Sequence, residues 1–434
     1  MSRWLDALQQ LERRRGWLGM AKLANVALAM LWGFVVTFVF VRVLPLADFR
    51  AFLLLVAFAN FTVSAEFGFS TIIYARLRRH LISSEGTFRS EEIGVLLAFM
   101  LGVILLGGVL LLLAIATGLI ATSQPALFMA FYGVAAMNLV ALLAKRALAA
   151  LDHNLWWEGL DLIRRISGIA LLLGALAGLS IFTSVIAQLL VAAGCVLMGL
   201  ATVHRALRLP AGHWIAWRAG GRHVREHYLA DIGRTMLLTI SDIAAYNAPY
   251  FTIAAATQDA RPLLVFDFIF KMSRAVSGII RALVETAMPH ITRALHNGET
   301  LELAASLHRL VKKSMTVAAL LALLILAAGG PLSSMLFDRQ AVLGSAELAI
   351  VGILLLGLAP ICVSVYVQTG LARFAPLLTP SFALLAGSLI SVPAALLLSS
   401  TFSFPFALAF AAFYAGVHLV LGFVHFRLVA RIKP

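Results

Sequence analysis

The stretch Pro262–His290, PLLVFDFIFKMSRAVSGIIRALVETAMPH, is long and apolar enough to cross a lipid bilayer as one helix. It nevertheless carries five charged residues, Asp267, Lys271, Arg274, Arg281 and Glu285. On a helix that turns about 100° per residue, these five side chains fall within about 40° of one line, which we call the charged stripe. The sequence therefore predicts a membrane helix with one charged face and one apolar face.

The charged stripe supports two interpretations. A charged side chain at the centre of a lipid-facing helix costs about 2.5–3.5 kcal/mol, so the stripe has to face other helices or water. One interpretation is a buried charge ladder that locks helices together through the i,i+4 pairs Asp267–Lys271 and Arg281–Glu285. The other is the wall of a polar transport cavity, in which Arg274 is an unpaired cation.

The composition of the whole chain agrees with a membrane location. Of its 434 residues, 62% are hydrophobic and only 12% are charged, whereas about 25% charged residues are usual in a soluble protein. We therefore predict an all-α integral membrane protein. A net charge of +14 would suggest nucleic-acid binding in a soluble protein. Here it follows from membrane topology, and we expect no nucleic-acid partner.

The pattern of apolar segments predicts twelve transmembrane helices with both termini in the cytoplasm. In this orientation 25 of the 34 Lys and Arg residues lie on the cytoplasmic side and four lie outside, as the positive-inside rule requires. We predict two six-helix lobes, residues 1–205 and 229–434, around a central cavity, with a basic cytoplasmic linker at 206–228. An even number of spans in each half allows the halves to be parallel repeats.

A second polar helix face precedes the charged stripe. The seventh predicted span, about 229–255, carries Arg234, Asp242 and Tyr246 roughly on one side at helical spacing. Cations hold phosphate or carboxylate groups, whereas carboxylates and hydroxyls hold sugar hydroxyls or exchange protons. Glu66 in the second span, about 49–74, is either a buried structural acid or a gating or proton-coupling residue.

Several kinds of function are disfavoured by what the sequence does not contain. It has no G-x-x-x-x-G-K-[ST] motif for nucleotide binding. It also shows no metal-ligand cluster and no predicted outer loop long enough for a catalytic domain. We therefore expect no cofactor, no metal site and no catalytic residue, and we expect a transporter rather than an enzyme.

Three stretches resemble the polysaccharide flippases of the O-antigen (Wzx-like) type. This family belongs to the multidrug/oligosaccharidyl-lipid/polysaccharide (MOP) exporter superfamily. The stretches are RVLPLADFRAFLLLVAFANFTVSAEFGFSTIIYARLRR at 42–79, RALAALDHNLWWEGLDLIRR at 146–165 and LVFDFIFKMSRAVSGIIRALVETAMPHITRALHNGETLELA at 264–304. The first stretch departs from the family pattern, because Pro45 and Arg50 stand where its turn usually has Gly. Twelve spans rather than fourteen argue against the lipid II flippase branch.

The resemblance implies a substrate, a location and roles for the polar residues. The substrate would be a polyprenyl-diphosphate-linked oligosaccharide, moved by alternating access across the bacterial inner membrane. The cations would hold the diphosphate: Arg234, Lys271, Arg274 and Arg281. The other polar residues would face the sugars or couple transport to an ion: Glu66, Asp242, Tyr246, Asp267 and Glu285. Partners would be membrane lipids, a glycan polymerase and chain-length proteins.

Two alternatives to a flippase remain open at the level of sequence. One is an ion-coupled exporter of a small molecule with the same fold, as in the MATE branch of the superfamily. The other is a non-transporting membrane scaffold for a glycan-assembly complex. The charged stripe disfavours the scaffold, because helix packing alone does not need five ionisable groups.

Overall fold

The computed structural model describes residues 15–83, 88–215, 217–338, 342–371 and 373–432. These residues form thirteen α-helices, one short 3-10 helix and no strand. The first seven α-helices are α1 (Arg15–Val43), α2 (Leu46–Ser64), α3 (Phe69–Ser83), α4 (Glu91–Ala116), α5 (Pro125–Ala150), α6 (Asn154–Leu176) and α7 (Ile181–Ala206). The other six are α8 (Trp217–Ala256), α9 (Arg261–His296), α10 (Thr300–Leu336), α11 (Ser345–Gly370), α12 (Ala375–Phe402) and α13 (Phe406–Ala430).

The helices confirm the prediction of an all-α, multi-pass integral membrane protein. Each predicted span corresponds to one helix, except the second, which consists of α2 and α3. Nine of the described helices are long and apolar enough to cross a membrane. Their outward surfaces are apolar as well: Leu105, Leu190 and Leu397 are 71%, 68% and 69% exposed. Such surfaces are stable only against lipid or another apolar partner.

The second predicted span is not one continuous helix, because the chain turns between α2 and α3. Phe67 has φ 50° and Gly68 has φ 84°, and a left-handed backbone ends an α-helix. The backbone N–H of Ser70 donates a hydrogen bond to Oε2 of Glu66 at 3.0 Å. The Glu66 carboxylate thus satisfies one of the N–H groups left free at the start of α3. Glu66 therefore lies in the turn between the two helices of this span rather than within one continuous helix.

Contacts divide the chain into two compact units, one that ends at Met236 and one that begins at Leu237. The N-terminal unit is organised around α5, which contacts α2, α3, α4, α6 and α7. Its core contains stacked rings of Phe40 and Phe52, 4.0 Å apart, with Phe131 edge-on to Phe52 at 4.7 Å. Asp48 accepts hydrogen bonds from the backbone N–H and the hydroxyl of Ser123 at 2.7 and 2.5 Å. These bonds tie the start of α2 to the residues just before α5.

The C-terminal unit is organised around α11, which contacts α9, α10 and α13. Arg261 at the start of α9 donates to both carboxylate oxygens of Glu347, at 3.0 and 3.1 Å, near the start of α11. This link corresponds to the one between Asp48 and Ser123 in the N-terminal unit. α5 and α11 are each the fourth predicted span of their half, and both contact the second, third and sixth spans of that half. These shared contacts are compatible with parallel repeats, which stay a prediction.

The predicted linker at 206–228 contains the 3-10 helix Ala211–Trp214 and the first turns of α8. His223 is buried, with Nε2 2.9 Å from Oε1 of Glu92. Glu92 also accepts hydrogen bonds from Arg76. The segment therefore packs on α3 and α4 in the N-terminal unit. The lobe boundaries 1–205 and 229–434 stay a prediction.

Two glycines allow α11 and α13 to pack closely. A Cβ atom on Gly357 would lie 2.7 Å from the backbone of His418, and one on Gly422 would lie 2.5 Å from the carbonyl oxygen of Gly357. Both distances are far below van der Waals contact. Close approach of helix backbones at small residues is a main source of attraction between membrane helices.

We expect Gly357→Ala to destabilise the C-terminal unit by about 1–3 kcal/mol, because the added methyl group overpacks the contact between α11 and α13. Thermal unfolding in detergent measures this as a lowered melting temperature. The matched control is Gly416→Ala on α13, where an added Cβ meets nothing within 4 Å. Equal melting temperatures of the two variants would contradict the packing argument.

Candidate functional site

The charged stripe lies on α9 in the C-terminal unit, and its first part is a buried, fully partnered pair. Asp267 is 1% exposed and forms an ion pair with Lys271, whose side chain is 12% exposed. The Tyr250 hydroxyl of α8 also donates a hydrogen bond to Oδ1 of Asp267 at 2.8 Å. A buried charge is tolerated when such partners surround it. This part of the stripe fits the interpretation as a structural ladder.

The second part of the charged stripe is exposed and begins at Arg274. Its guanidinium lies 5.4 Å from the ring centroid of Phe270, a distance at which the ring face stabilises a cation. Among the described residues no carboxylate lies within ion-pair distance of Arg274, although its charge interacts with that of Asp242 on α8. Arg274 therefore fits the interpretation as a cation available to a ligand.

Arg281 follows Arg274 two turns later and is held only weakly. Its Nε atom lies 2.9 Å from Oε1 of Glu285, but the two side chains are 57% and 65% exposed. Exposed ion pairs contribute about 0–1 kcal/mol, so the guanidinium can exchange this partner at low cost. Cζ of Arg281 lies 5.8 Å from the ring centroid of Tyr366 on α11, whose hydroxyl is 2.7 Å from Oγ of Ser277. Tyr366 thus links α9 to α11 beside the cation.

Two predicted residues of α8 lie near the exposed cations. Asp242 is exposed, and Tyr246 is half-buried with its ring centroid 6.0 Å from that of His418 on α13. The charge of Asp242 also interacts with Tyr366. Side chains from α8, α9 and α11 therefore surround one region of the C-terminal unit. We call it the C-terminal polar face and define it by Asp242, Tyr246, Arg274, Arg281 and Tyr366.

The remaining predicted residues have other positions. Lys271, predicted to bind phosphate, is held by Asp267, so an anion could recruit it only by breaking a buried pair. Glu66 belongs to the N-terminal unit, where it caps α3. Arg234 lies on α8, and its side chain is outside the described part of the structure.

Tyr250 and Tyr366 organise the two parts of the charged stripe, but the sequence did not predict either as a site residue. A single tyrosine in an apolar segment has no helical periodicity of its own, so it does not define a polar face. Their rarity in the sequence is a signal that could have identified them as site residues. The chain has only seven tyrosines, and four of them lie on helices of the C-terminal unit: Tyr246, Tyr250, Tyr366 and Tyr414.

The C-terminal polar face can bind an anion with several oxygen atoms. Arg274 and Arg281 are seven residues apart, about 10.5 Å along the helix, so their long side chains can converge on one group. Each guanidinium offers five N–H donors in a fixed fork, which suits phosphate. The carboxylate of Asp242 and the hydroxyls of Tyr246 and Tyr366 add partners for neutral polar groups. In the described part of the chain no cluster of three or more His, Cys, Asp or Glu could hold a metal ion.

The fold is that of the MATE transporters of the MOP superfamily. The eukaryotic MATE transporter AtDTX14 matches with a TM-score of 0.65 over 96% of this chain and 97% of its own, at 12% identity. A mutant of the Vibrio cholerae MATE transporter VcmN matches with 0.64 over 98% and 97%, at 14% identity. An inward-facing MATE family transporter matches with 0.61 over 92% and 93%, at 11% identity. No protein-family model and no curated protein matches the sequence.

Proposed function

We propose that this protein is a flippase for a polyprenyl-diphosphate-linked oligosaccharide in the bacterial inner membrane. It carries the lipid-linked glycan from the cytoplasmic to the outer leaflet for polysaccharide synthesis. The observation that carries this proposal is the exposure of Arg274 and Arg281 on one face of a helix in a MATE-type fold. A diphosphate that enters the membrane without compensating charge would pay a large desolvation penalty. Cations along its path are therefore a physical requirement.

In this proposal each part of the C-terminal polar face has one role. The diphosphate accepts hydrogen bonds from Arg274 and Arg281, and Glu285 releases Arg281 when the phosphate arrives. Asp242 and Tyr246 bind sugar hydroxyls. The polyprenyl tail stays in lipid while alternating access moves the polar part. The activity is transport rather than catalysis, and a glycan polymerase and chain-length proteins would act on the product.

The proposal is tested by flipping in liposomes of purified protein. A fluorescent, short-chain polyprenyl-diphosphate oligosaccharide is placed in both leaflets, and a membrane-impermeant reductant quenches the outer one. We expect the protein to expose nearly all of the fluorophore to the reductant, whereas protein-free liposomes protect about half. An analogue without the diphosphate should flip far more slowly. Equal protection in liposomes with and without the protein would contradict the proposal.

An ion-coupled exporter of a small molecule is the second candidate function. It is favoured by the MATE fold together with the exposed carboxylate of Asp242 on the C-terminal polar face. Liposomes loaded with a cationic dye distinguish the two candidates. Dye efflux driven by a proton or sodium gradient, without flipping of the lipid-linked oligosaccharide, would favour the exporter.

We expect Asp242→Asn to flatten the pH dependence of uphill transport, because an amide cannot bind and release a proton. Asp242 is the candidate for the residue that binds and releases the proton. Its neighbours on the C-terminal polar face are Arg274, Tyr246 and Tyr366. Among the described residues, none of these forms an ion pair with it. The matched control is Glu285→Gln, whose carboxylate is already paired with Arg281. Its pH profile should keep the wild-type shape. An unchanged profile in Asp242→Asn would indicate passive or potential-driven movement.

The proposed orientation has its own test. Asn297 lies in the exposed turn between α9 and α10, and Asp259 lies in the exposed loop between α8 and α9. Both termini in the cytoplasm require Asn297 to be cytoplasmic and Asp259 to be outside. Reporter fusions at the two positions should give these opposite signals, and a reversed signal at either one would overturn the orientation.

A further inference from the structure

A groove of about 470 Å³ lies between the second half of α9 and the first half of α10, both in the C-terminal unit. Its floor is apolar and consists of Leu283, Ala287 and Leu310. At about 100° per residue, the groove residues of α9 point to the side of the helix opposite the charged stripe. The groove is therefore separate from the C-terminal polar face, and its volume falls in the range of ligand sites.

The rim of the groove is polar and carries more positive than negative charge. Its members are Thr286, His290, Glu302, Ser306, Arg309 and Lys313. One guanidinium nitrogen of Arg309 lies 2.8 Å from Oε1 of Glu302 and 3.2 Å from Oγ of Ser306. The ion pair is exposed, with side chains 62% and 56% accessible, so Arg309 can turn to another acceptor at little cost. Two cations, two hydroxyls and an imidazole beside one carboxylate suit an anion that accepts several hydrogen bonds.

The lengths of the two helices place this groove at the level of lipid headgroups. α9 has 36 residues and α10 has 37, or roughly 55 Å each, whereas the hydrocarbon core of a bilayer is about 30 Å thick. The apolar segment of α10 begins directly after Lys313, at about Met315. The residues of α10 that precede Lys313 therefore lie where the helix leaves the hydrocarbon core. Lys313 lies at that boundary, and Arg309 lies one turn further from the hydrocarbon.

We propose that this groove binds the headgroup of an anionic phospholipid, whose acyl chains remain in the adjoining leaflet. Arg309 and Lys313 bind the phosphate. The hydroxyls of Thr286 and Ser306 now donate to the Leu283 carbonyl and to Glu302, and they rotate to donate to headgroup oxygens when the lipid binds. The glycerol and the first methylene groups contact Leu283, Ala287 and Leu310. By the predicted topology the leaflet is the cytoplasmic one. The inference does not depend on which substrate the C-terminal polar face carries.

Native mass spectrometry of the purified full-length protein tests lipid retention directly. The protein is mixed with phosphatidylglycerol or with phosphatidylcholine that has the same acyl chains. Each Lys or Arg near an anionic lipid strengthens binding roughly fivefold. We expect the wild type to retain phosphatidylglycerol preferentially, Lys313→Gln to weaken that retention about fivefold, and Arg309→Gln with Lys313→Gln to weaken it about 25-fold.

The matched control is Lys312→Gln, because Lys312 is exposed on the same turn of α10 but does not line the groove. It loses the same charge but no contact with the groove, so it should weaken lipid retention much less than Lys313→Gln does. Equal weakening by Lys312→Gln and Lys313→Gln, or full retention by the double variant, would overturn the site. If the double variant does not fold, Lys313→Gln alone decides the question, since it leaves the Arg309–Glu302 pair intact. Thermal stabilisation by inorganic phosphate alone, equal to that by phosphatidylglycerol, would overturn the lipid assignment.

Discussion

Replacing Arg274 or Arg281 by Ala is expected to reduce transport at least tenfold while the protein stays folded and abundant in the membrane. A hydrogen bond to a charged group contributes about 1.5–3 kcal/mol, which corresponds to a factor of roughly 10 to 150 in binding. Both side chains are exposed, so their removal leaves no buried partner without its hydrogen bond. Under the proposed function, the cost therefore falls on binding of the diphosphate and not on the fold.

Flipping in liposomes and membrane abundance are measured for the same variants. Lys at either position should restore part of the activity, because it keeps the charge but loses the two-pronged donor geometry of Arg. Arg293→Ala is the matched control, since Arg293 is exposed on α9 but lies outside the C-terminal polar face. Normal flipping in both Ala variants would contradict the proposed diphosphate site. Disappearance of both from the membrane would instead favour a structural ladder along the whole charged stripe.

Asp267→Ala is expected to have the largest effect on stability, a loss of about 3–5 kcal/mol. The substitution leaves the Lys271 cation in a site where its side chain is 12% exposed. It also removes the acceptor of the Tyr250 hydroxyl, which reaches Asp267 from α8. The measurement is the melting temperature in detergent together with the amount of protein in the membrane. Glu285→Ala is the control, because that pair is exposed and its loss should cost less than about 1 kcal/mol.

A double variant separates structure from function in this pair. Asp267→Leu combined with Lys271→Met replaces both charges with apolar side chains of similar size, which often restores stability when a buried ion pair is removed as a whole. We expect most of the melting temperature and most of the transport to return. A folded double variant that does not transport would show that the pair handles substrate, and the structural interpretation of Asp267 and Lys271 would be wrong.

The two parts of the charged stripe explain why one helix supported two interpretations. Asp267 and Lys271 fit the ladder, because they are buried and partnered, whereas Arg274 fits the cavity wall, because it is exposed. Arg281 forms the predicted i,i+4 pair with Glu285, but the pair is accessible. The spacing of the residues is the same in both parts, so spacing could not distinguish them.

The sequence by itself determined the all-α membrane class and the presence of the charged stripe on α9, whereas the count of twelve spans stays a prediction. These properties depend on composition and on the helical period within one segment, and both can be read without knowing what surrounds the segment. The turn at Phe67 and Gly68 was not predicted, because apolar residues lie on both sides of it and the helical period alone does not show where a helix ends. Glu66 was predicted within a helix, whereas the chain uses it to cap one.

Only the tertiary structure decided which of the ionisable residues are available to a ligand. Tyr250 reaches Asp267 across 17 residues of sequence, and Tyr366 reaches Ser277 across 89. The packing of α11 against α9 is what brings Tyr366 beside Arg281. A local pattern sets the direction in which a side chain points on its own helix. The side chain's exposure and partners are set by other helices, because burial and hydrogen bonding depend on contacts between residues far apart in the chain.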